Sequence, residues 1–439
     1  MLALLLALQA PLALPAPLAE IPDQADTLPR VSLTQALQRA ARLDPDYVAA
    51  LGQIDNAQWA RRNAFAVFVL PAVNLSLQAQ RANGLSFVFA GDTFFLTKTA
   101  WTGQISARYD LFTGGQKVAE LSRSSAELAG AHANELRQRF ATAQLTESDY
   151  YAVLANTELD RVARERLRRA QEQLAVARAR VLSGAAVSTD SLNLRLELAR
   201  AQVGALQQRS ALRVARLELG RRVGASGPVD AAPLDTAPAP QLPVTLADAI
   251  SEAARQGPEY RIAAADERAA SAAYRAELGN YLPHVSLTFN AFAFDTAFFP
   301  SLFKPTSFTL AVAFPLWNNG QRELALSRAR VIKNIARATR QDMDRAVQHD
   351  VTAAYDAYET SRASADVARN AVLVAREGFR VQQTRYSAGA TTILDLITSQ
   401  VALSEADAAR VQAEYSTRLA RAGLETILGR RLFTDKETP

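Results

Sequence analysis

Trp101-Thr102-Gly103-Gln104-Ile105-Ser106-Ala107-Arg108-Tyr109-Asp110-Leu111 alternates apolar with polar or small residues, and Gly114-Gly115-Gln116 then opens a run with no proline before Pro228. A two-residue period with one apolar face marks a strand lying between two environments. Beyond the glycines the period changes. Leu121, Leu128, Ala131, Leu136 and Phe140 keep helical spacing. The stretch from Gln116 to about Leu182 reads as one helix of roughly 65 residues, about 100 Å at 1.5 Å per residue. A periodic pattern that long implies coiled-coil packing against neighbours.

The same passage is written again downstream. Phe308, Leu310, Val312 and Phe314 alternate with Ser307, Thr309, Ala311 and Ala313, then Asn318-Asn319-Gly320-Gln321 opens a helix to about Tyr386. Earlier segments recur in the same order. Val31-Ser32-Leu33-Thr34-Gln35-Ala36-Leu37 returns as Val244-Thr245-Leu246-Ala247-Asp248-Ala249-Ile250, and Leu70-Pro71-Ala72-Val73 as Leu282-Pro283-His284-Val285. Leu219-Gly220-Arg221 matches Leu428-Gly429-Arg430. One unit of roughly 190 residues has been duplicated. Its internal order is helix, strand, strand, very long helix, helix.

Each unit begins with a capping-box pattern, Ser32-x-x-Gln35 or Thr245-x-x-Asp248. Pro45 marks a break or restart in the first helical stretch, which is expected to end near Phe68 because Pro71 biases the residue before it away from helical angles. The expected boundaries are these. Residues 1–19 form a signal peptide and 20–223 the first repeat, with strands about 72–82 and 99–112 and a helical hairpin about 116–221. A Pro/Ala-rich linker spans 224–243. The second repeat covers 244–430, with strands about 284–294 and 306–316 and a hairpin about 321–428; a tail follows over 431–439. The hairpins turn at Leu182-Ser183-Gly184-Ala185-Ala186-Val187-Ser188-Thr189-Asp190 and at Ser387-Ala388-Gly389-Ala390-Thr391-Thr392-Ile393-Leu394-Asp395. Glycine suits a helix C-terminus and Ser or Thr the next N-cap.

Composition narrows the class. The 439 residues include no cysteine, which excludes disulfides, zinc–thiolate sites and a cysteine nucleophile. The formal charge is +5, but the Arg residues are interleaved with Glu and Asp along helices, as in Arg161-Val162-Ala163-Arg164-Glu165-Arg166. That is a solvated helix face and gives no nucleic-acid partner. Met1 to Ala19 is Leu/Ala/Pro-rich and uncharged, like the apolar core of a secretory signal, although no basic residue precedes it. The two longest uncharged runs, Asn63 to Gln80 and Leu278 to Phe294, are interrupted by Pro71 and Pro283 and fall short of the ~20 apolar residues a spanning helix needs. A membrane protein of this kind would have to be a barrel. The alternating strands fit one, with aromatic loops at Phe87-Val88-Phe89, Phe94-Phe95 and Phe298-Phe299. Four strands cannot close it, since even eight leave room only for side chains, so several chains must combine. The other reading of each strand, a half-buried strand in a soluble sandwich, goes with a soluble periplasmic coiled-coil scaffold or adaptor.

The signal-like start, the duplicated order and the Gly-containing tips with an Asp six residues on resemble the TolC-like outer-membrane efflux protein family, over nearly all of the chain after Val31. The resemblance implies a mainly α fold with β, in which a trimeric twelve-stranded β-barrel, four strands per protomer, continues as a long α-helical barrel. It implies an outer-membrane duct with a periplasmic extension, working in efflux or type I secretion with a periplasmic adaptor and an inner-membrane transporter, and surrounded by outer-membrane lipid. It implies neither enzyme activity nor a cofactor. Carried over residue by residue, Asp190, Tyr386 and Asp395 resemble the family's periplasmic gate. Gly184, Ser188, Thr189, Gly389, Thr391 and Thr392 stand where the tips would meet the adaptor. Thr391 replaces an arginine of the best-known member and Thr398 replaces a second entrance aspartate. Each gate residue also has a local reading. Asp395 completes a capping-box pattern with Thr392, Asp190 is a first-turn acid, and Tyr386 is a tyrosine packed near a helix end. His132, His284 and His349 are far apart in sequence and form no catalytic constellation.

Overall fold

The computed structural model describes residues 28–81, 86–89, 92–95, 100–184, 187–234, 239–295 and 306–433. The proposed signal segment and Phe298-Phe299 lie outside these residues. In chain order the elements are β1 (Arg30–Val31), α1 (Leu33–Leu43), α2 (Pro45–Val69), β2 (Ala72–Gln80), β3 (Ser86–Phe89), β4 (Asp92–Phe95), β5 (Ala100–Thr113), α3 (Gln116–Leu182) and α4 (Ser188–Arg222). Then follow β6 (Asp230–Ala231), α5 (Leu246–Gln256), α6 (Pro258–Gly279), β7 (His284–Asp295), β8 (Thr306–Ala313), α7 (Gln321–Ser387) and α8 (Ile393–Leu428).

Local chemistry sets the helix starts. Ser32 and Gln35 each accept from the other's backbone N–H at 3.3 Å, a reciprocal box at the head of α1. Asp44 accepts from the N–H of Asp46 and Tyr47, so Pro45 restarts the chain as α2 without breaking it. Thr245 caps α5 through the Asp248 N–H. The long helices leave their strands through paired left-handed residues, Gly114-Gly115 and, in the second copy, Asn319-Gly320. Asn is among the few non-glycine residues that tolerate this region. At Gly114 a side chain is also excluded by space, because a Cβ there would collide with the Gly279 carbonyl.

The chain forms two compact units, one from Ala40–Ser148 with Ala237–Pro439 and the other from the residues up to Arg39 with Asp149–Thr236. In the first, Ala249 and Ala253 of α5, Val347 and Val351 of α7, and Leu424 and Leu428 of α8 form one core. Leu432 belongs to that core, so the segment expected as a tail from residue 431 is packed at its start. In the second unit α3 and α4 are tied by Arg166 and the buried Glu197, 2.7 Å apart. Here β1 pairs in parallel with β6, Arg30 with Asp230 and Val31 with Ala231. The segment expected to be a plain linker therefore contributes a strand. Tyr150 fastens it further by donating to the Ala232 carbonyl at 2.7 Å.

Three other expectations change. The first aromatic loop contains a two-stranded antiparallel ladder, β3 with β4, in which Phe87 lies opposite Phe94. The last strand stops at Ala313, short of 316, because Pro315 has no N–H to give a ladder. β5 carries a bulge between Asp110 and Phe112, so Phe112 and not Leu111 lies opposite Val285. One extra residue reverses the side-chain phase, which alternation alone cannot show.

Candidate functional site

The sheet is an antiparallel meander in the order β2-β5-β7-β8. Register puts Val73, Ala107, Phe289 and Phe308 in one cross-strand row, Tyr109, Leu287 and Leu310 in another, and Leu75, Ile105 and Ala291 in a third. All lie on one face. The opposite face carries Asn74, Ser106, Asn290 and Ser307 in one row and Arg108, Thr288 and Thr309 in the next. Gln104 donates to Asn290 across it at 3.4 Å. The apolar face is largely uncovered by the chain itself, with Leu75 64% and Phe308 75% exposed. Uncovered apolar surface of this extent marks a contact with lipid or protein. Both β2 and β8 have one neighbour only among the described residues, leaving two open ladder edges.

The strands are joined to the long helices by a repeated device. Lys117 donates to the Asp110 carbonyl at 2.6 Å and lies 4.2 Å from the centre of the Tyr109 ring. In the second copy Arg322 donates to the Pro315 carbonyl at 3.0 Å and lies 4.3 Å from the Tyr281 ring. A cation in a first helical turn is opposed by the helix dipole. Here a carbonyl and an aromatic face compensate it, and the cation fixes the angle of exit. Sequence matching aligned Gly115 with Gly320 but overlooked the cations two residues on.

At the tip in the first unit, α7 ends in a Schellman turn. The N–H of left-handed Gly389 donates to Tyr386 and that of Ala390 to Arg385, at 3.1 and 2.8 Å. Tyr386 is buried, as a packed tyrosine would be. Thr392 is the N-cap of α8 and forms the reciprocal box with Asp395. Asp395 Oδ2 accepts from the Thr392 hydroxyl at 2.7 Å, the Thr391 hydroxyl at 2.9 Å and the Thr392 N–H at 3.2 Å. These bonds, the Thr392 hydroxyl first, hold its carboxyl below the usual carboxylate range. Thr391, standing where the resemblance would have an arginine, thus serves Asp395.

The tip in the other unit is built differently. Gly184 is left-handed and donates to the Val181 carbonyl at 3.1 Å. The N-cap of α4 is Val187, which makes no side-chain cap bond, so neither Ser188 nor Thr189 caps this helix. Ser188 and Thr189 are exposed, and Asp190 occupies the first turn half-buried. Leu182 and Val187 flank the turn, both strongly exposed. Asp190 belongs to one unit, and Tyr386 and Asp395 to the other.

Sequence reasoning missed one charged cluster. Arg431 bridges Glu147 at 2.6 Å and Glu425 at 2.7 Å, and both acids are almost wholly buried. Glu425 also accepts from the Leu432 N–H at 3.1 Å. Burial pushes the Glu147 carboxyl up, with Arg431 opposing. No local pattern announces this cluster, because Glu147 lies 284 residues from Arg431. Among the described residues no group of acids and histidines is placed to hold a metal, and no helix is long and apolar enough to cross a membrane.

The family model described as "Outer membrane efflux protein" matches residues 33–225 and 249–430. The pyoverdine export outer membrane protein OpmQ of Pseudomonas putida is 27% identical, across 92% of this chain and 87% of that protein. The outer membrane protein VceC of Vibrio cholerae has a similar fold, with TM-score 0.78 at 16% identity over 91% of this chain and 97% of its own. The CmeC outer membrane channel of Campylobacter jejuni matches with TM-score 0.78 at 14% identity, over 92% and 87% of the two chains.

Proposed function

Because this chain belongs to the outer membrane efflux protein family and so is an efflux channel of the outer membrane, not an enzyme, we propose that three copies close one duct. Each copy gives its four strands to a twelve-stranded barrel. The observation that carries this reading is the sheet with two open edges and an uncovered apolar face. β2 and β8 run in opposite directions, so β8 of one copy can continue antiparallel into β2 of the next, as an even-stranded barrel requires. The apolar face then meets lipid and the polar face lines water. A soluble scaffold would leave that apolar face without a partner.

The hairpins extend into the periplasm, where their tips form the gate. Asp190 and Tyr386 latch neighbouring hairpins, and the Asp395 carboxylates ring the entrance. Gly184, Ser188, Thr189, Gly389, Thr391 and Thr392 meet a periplasmic adaptor that couples the duct to an inner-membrane transporter, which supplies the energy. Since one relative is named for pyoverdine export, pyoverdine is the first cargo to test. Chemical cross-linking in native outer membranes is expected to give a ladder that stops at three. A monomer or dimer in mild detergent, without material in the outer-membrane fraction, overturns the reading.

A further inference from the structure

The polar face of the sheet carries charge in one neighbourhood only among its described positions. Its residues are of small, amide or hydroxyl type, with Phe292 and Phe294 the aromatic exceptions; Arg108 and Asp110 carry charge, and His284 stands at the helix-bearing end. Asp110 Oδ1 accepts from Arg108 Nε at 3.1 Å, so the carboxylate holds the guanidinium by its inner nitrogen. The two terminal nitrogens have no hydrogen-bond partner among the described residues, and the Arg108 side chain is 64% exposed. Thr288 and then Thr309 follow Arg108 in the same cross-strand row. Adjacent strands lie about 5 Å apart. One row thus presents a guanidinium fork and two hydroxyls, all able to donate. A planar fork with two open N–H groups matches a carboxylate bidentately, which a point charge does not.

We propose that the row Arg108–Thr288–Thr309, with Asp110 as the positioning residue, is an anion-binding rung on the inner wall of the duct that engages carboxylates of passing cargo. It occurs once per copy. This rests on the reading that three sheets close with their polar faces inward.

Citrate added from the extracellular side of the purified trimer in planar bilayers tests the rung, because the probe meets the barrel before the tips. Arg108→Gln is expected to weaken citrate block on the order of tenfold, the equivalent of one charge-assisted bidentate pair. Arg108→Lys keeps the charge without the fork and is expected to fall between Arg108→Gln and the wild type; Thr288→Val is expected to weaken block by a smaller factor. Conductance in each variant shows that the barrel has formed. A conducting trimer whose citrate block is the same in wild type and Arg108→Gln overturns the rung and leaves the trimeric duct standing. Failure of the wild type to form trimers or to conduct overturns the duct itself.

Discussion

At the level of single residues, the carboxylate observed to cap α8, that of Asp395, is also the one proposed to ring the entrance. Its Oδ2 is committed to the cap of α8, while the group remains on the surface, where a ring of three would act on passing ions. The cap role gives a pH dependence. The folded-state pKa is depressed, so the stability it contributes is present above the unfolded value of about 3.9 and is lost as pH falls through the lower folded value. Asp395→Asn is expected to lower the helical melting temperature at neutral pH, with the deficit vanishing as pH falls through the depressed folded value. In bilayers the same variant should lose cation selectivity, whereas Thr392→Val should lower the melting temperature and leave selectivity alone. Equal selectivity in Asp395→Asn and wild type would confine Asp395 to capping. Arg431 offers a second case. Arg431→Met leaves Glu147 buried without its bridging cation and Glu425 with Arg421 alone, 3.8 Å away, and the expected cost is about 3 kcal/mol, at the low end because Arg431 is 39% exposed. Burial raises the Glu147 pKa and Arg431 opposes it, so in the variant protonation of Glu147 relieves the buried charge. The deficit relative to the wild type should therefore be largest where Glu147 is ionised and shrink as pH falls through its raised pKa, in melts followed by circular dichroism.

Elements are decided by period and by what interrupts it. Alternation from Trp101 to Asp110 is enough to assign the two faces of β5, and the structure keeps that assignment as far as Asp110. Ile105 stands in the apolar row between Leu75 and Ala291, and Gln104 on the other face bonds to Asn290. A charge on a lipid-facing position costs roughly 2–4 kcal/mol at the bilayer midplane. Ile105→Arg is expected to abolish heat-resistant oligomer on gels, while Gln104→Arg assembles normally. Equal loss in both would mean that the two faces do not meet lipid and water. The tips show the limit of local reading. Similarly placed glycines predict similar caps, yet of these two helices only α8 receives one, because Thr392 stands at its N-cap where α4 has Val187.

For the whole molecule the open edges matter most, and the absence of cysteine makes them testable. Cysteine pairs placed one on β2 and one on β8, scanned over Leu75 and Leu77 against Phe308 and Leu310, are expected to yield covalent dimers and trimers on oxidation and nothing larger. No disulfide at any register would show that these edges do not meet. Besides the duplicated order, which shows when the chain is compared with itself, what the sequence determined was carried by near neighbours: the faces of the strands, the glycine exits, the capping boxes and the two long helices. Each follows from a period or a turn whose residues lie within a few positions of one another. Only the tertiary structure decided the bulge at Leu111, the parallel pairing of Arg30 with Asp230, the packing of Leu432 and the Glu147–Arg431–Glu425 cluster. The physical reason is separation along the chain. A strand partner or a buried counter-ion some two hundred residues away leaves no trace in local spacing, and is fixed only when the fold brings the two groups together and removes water from between them.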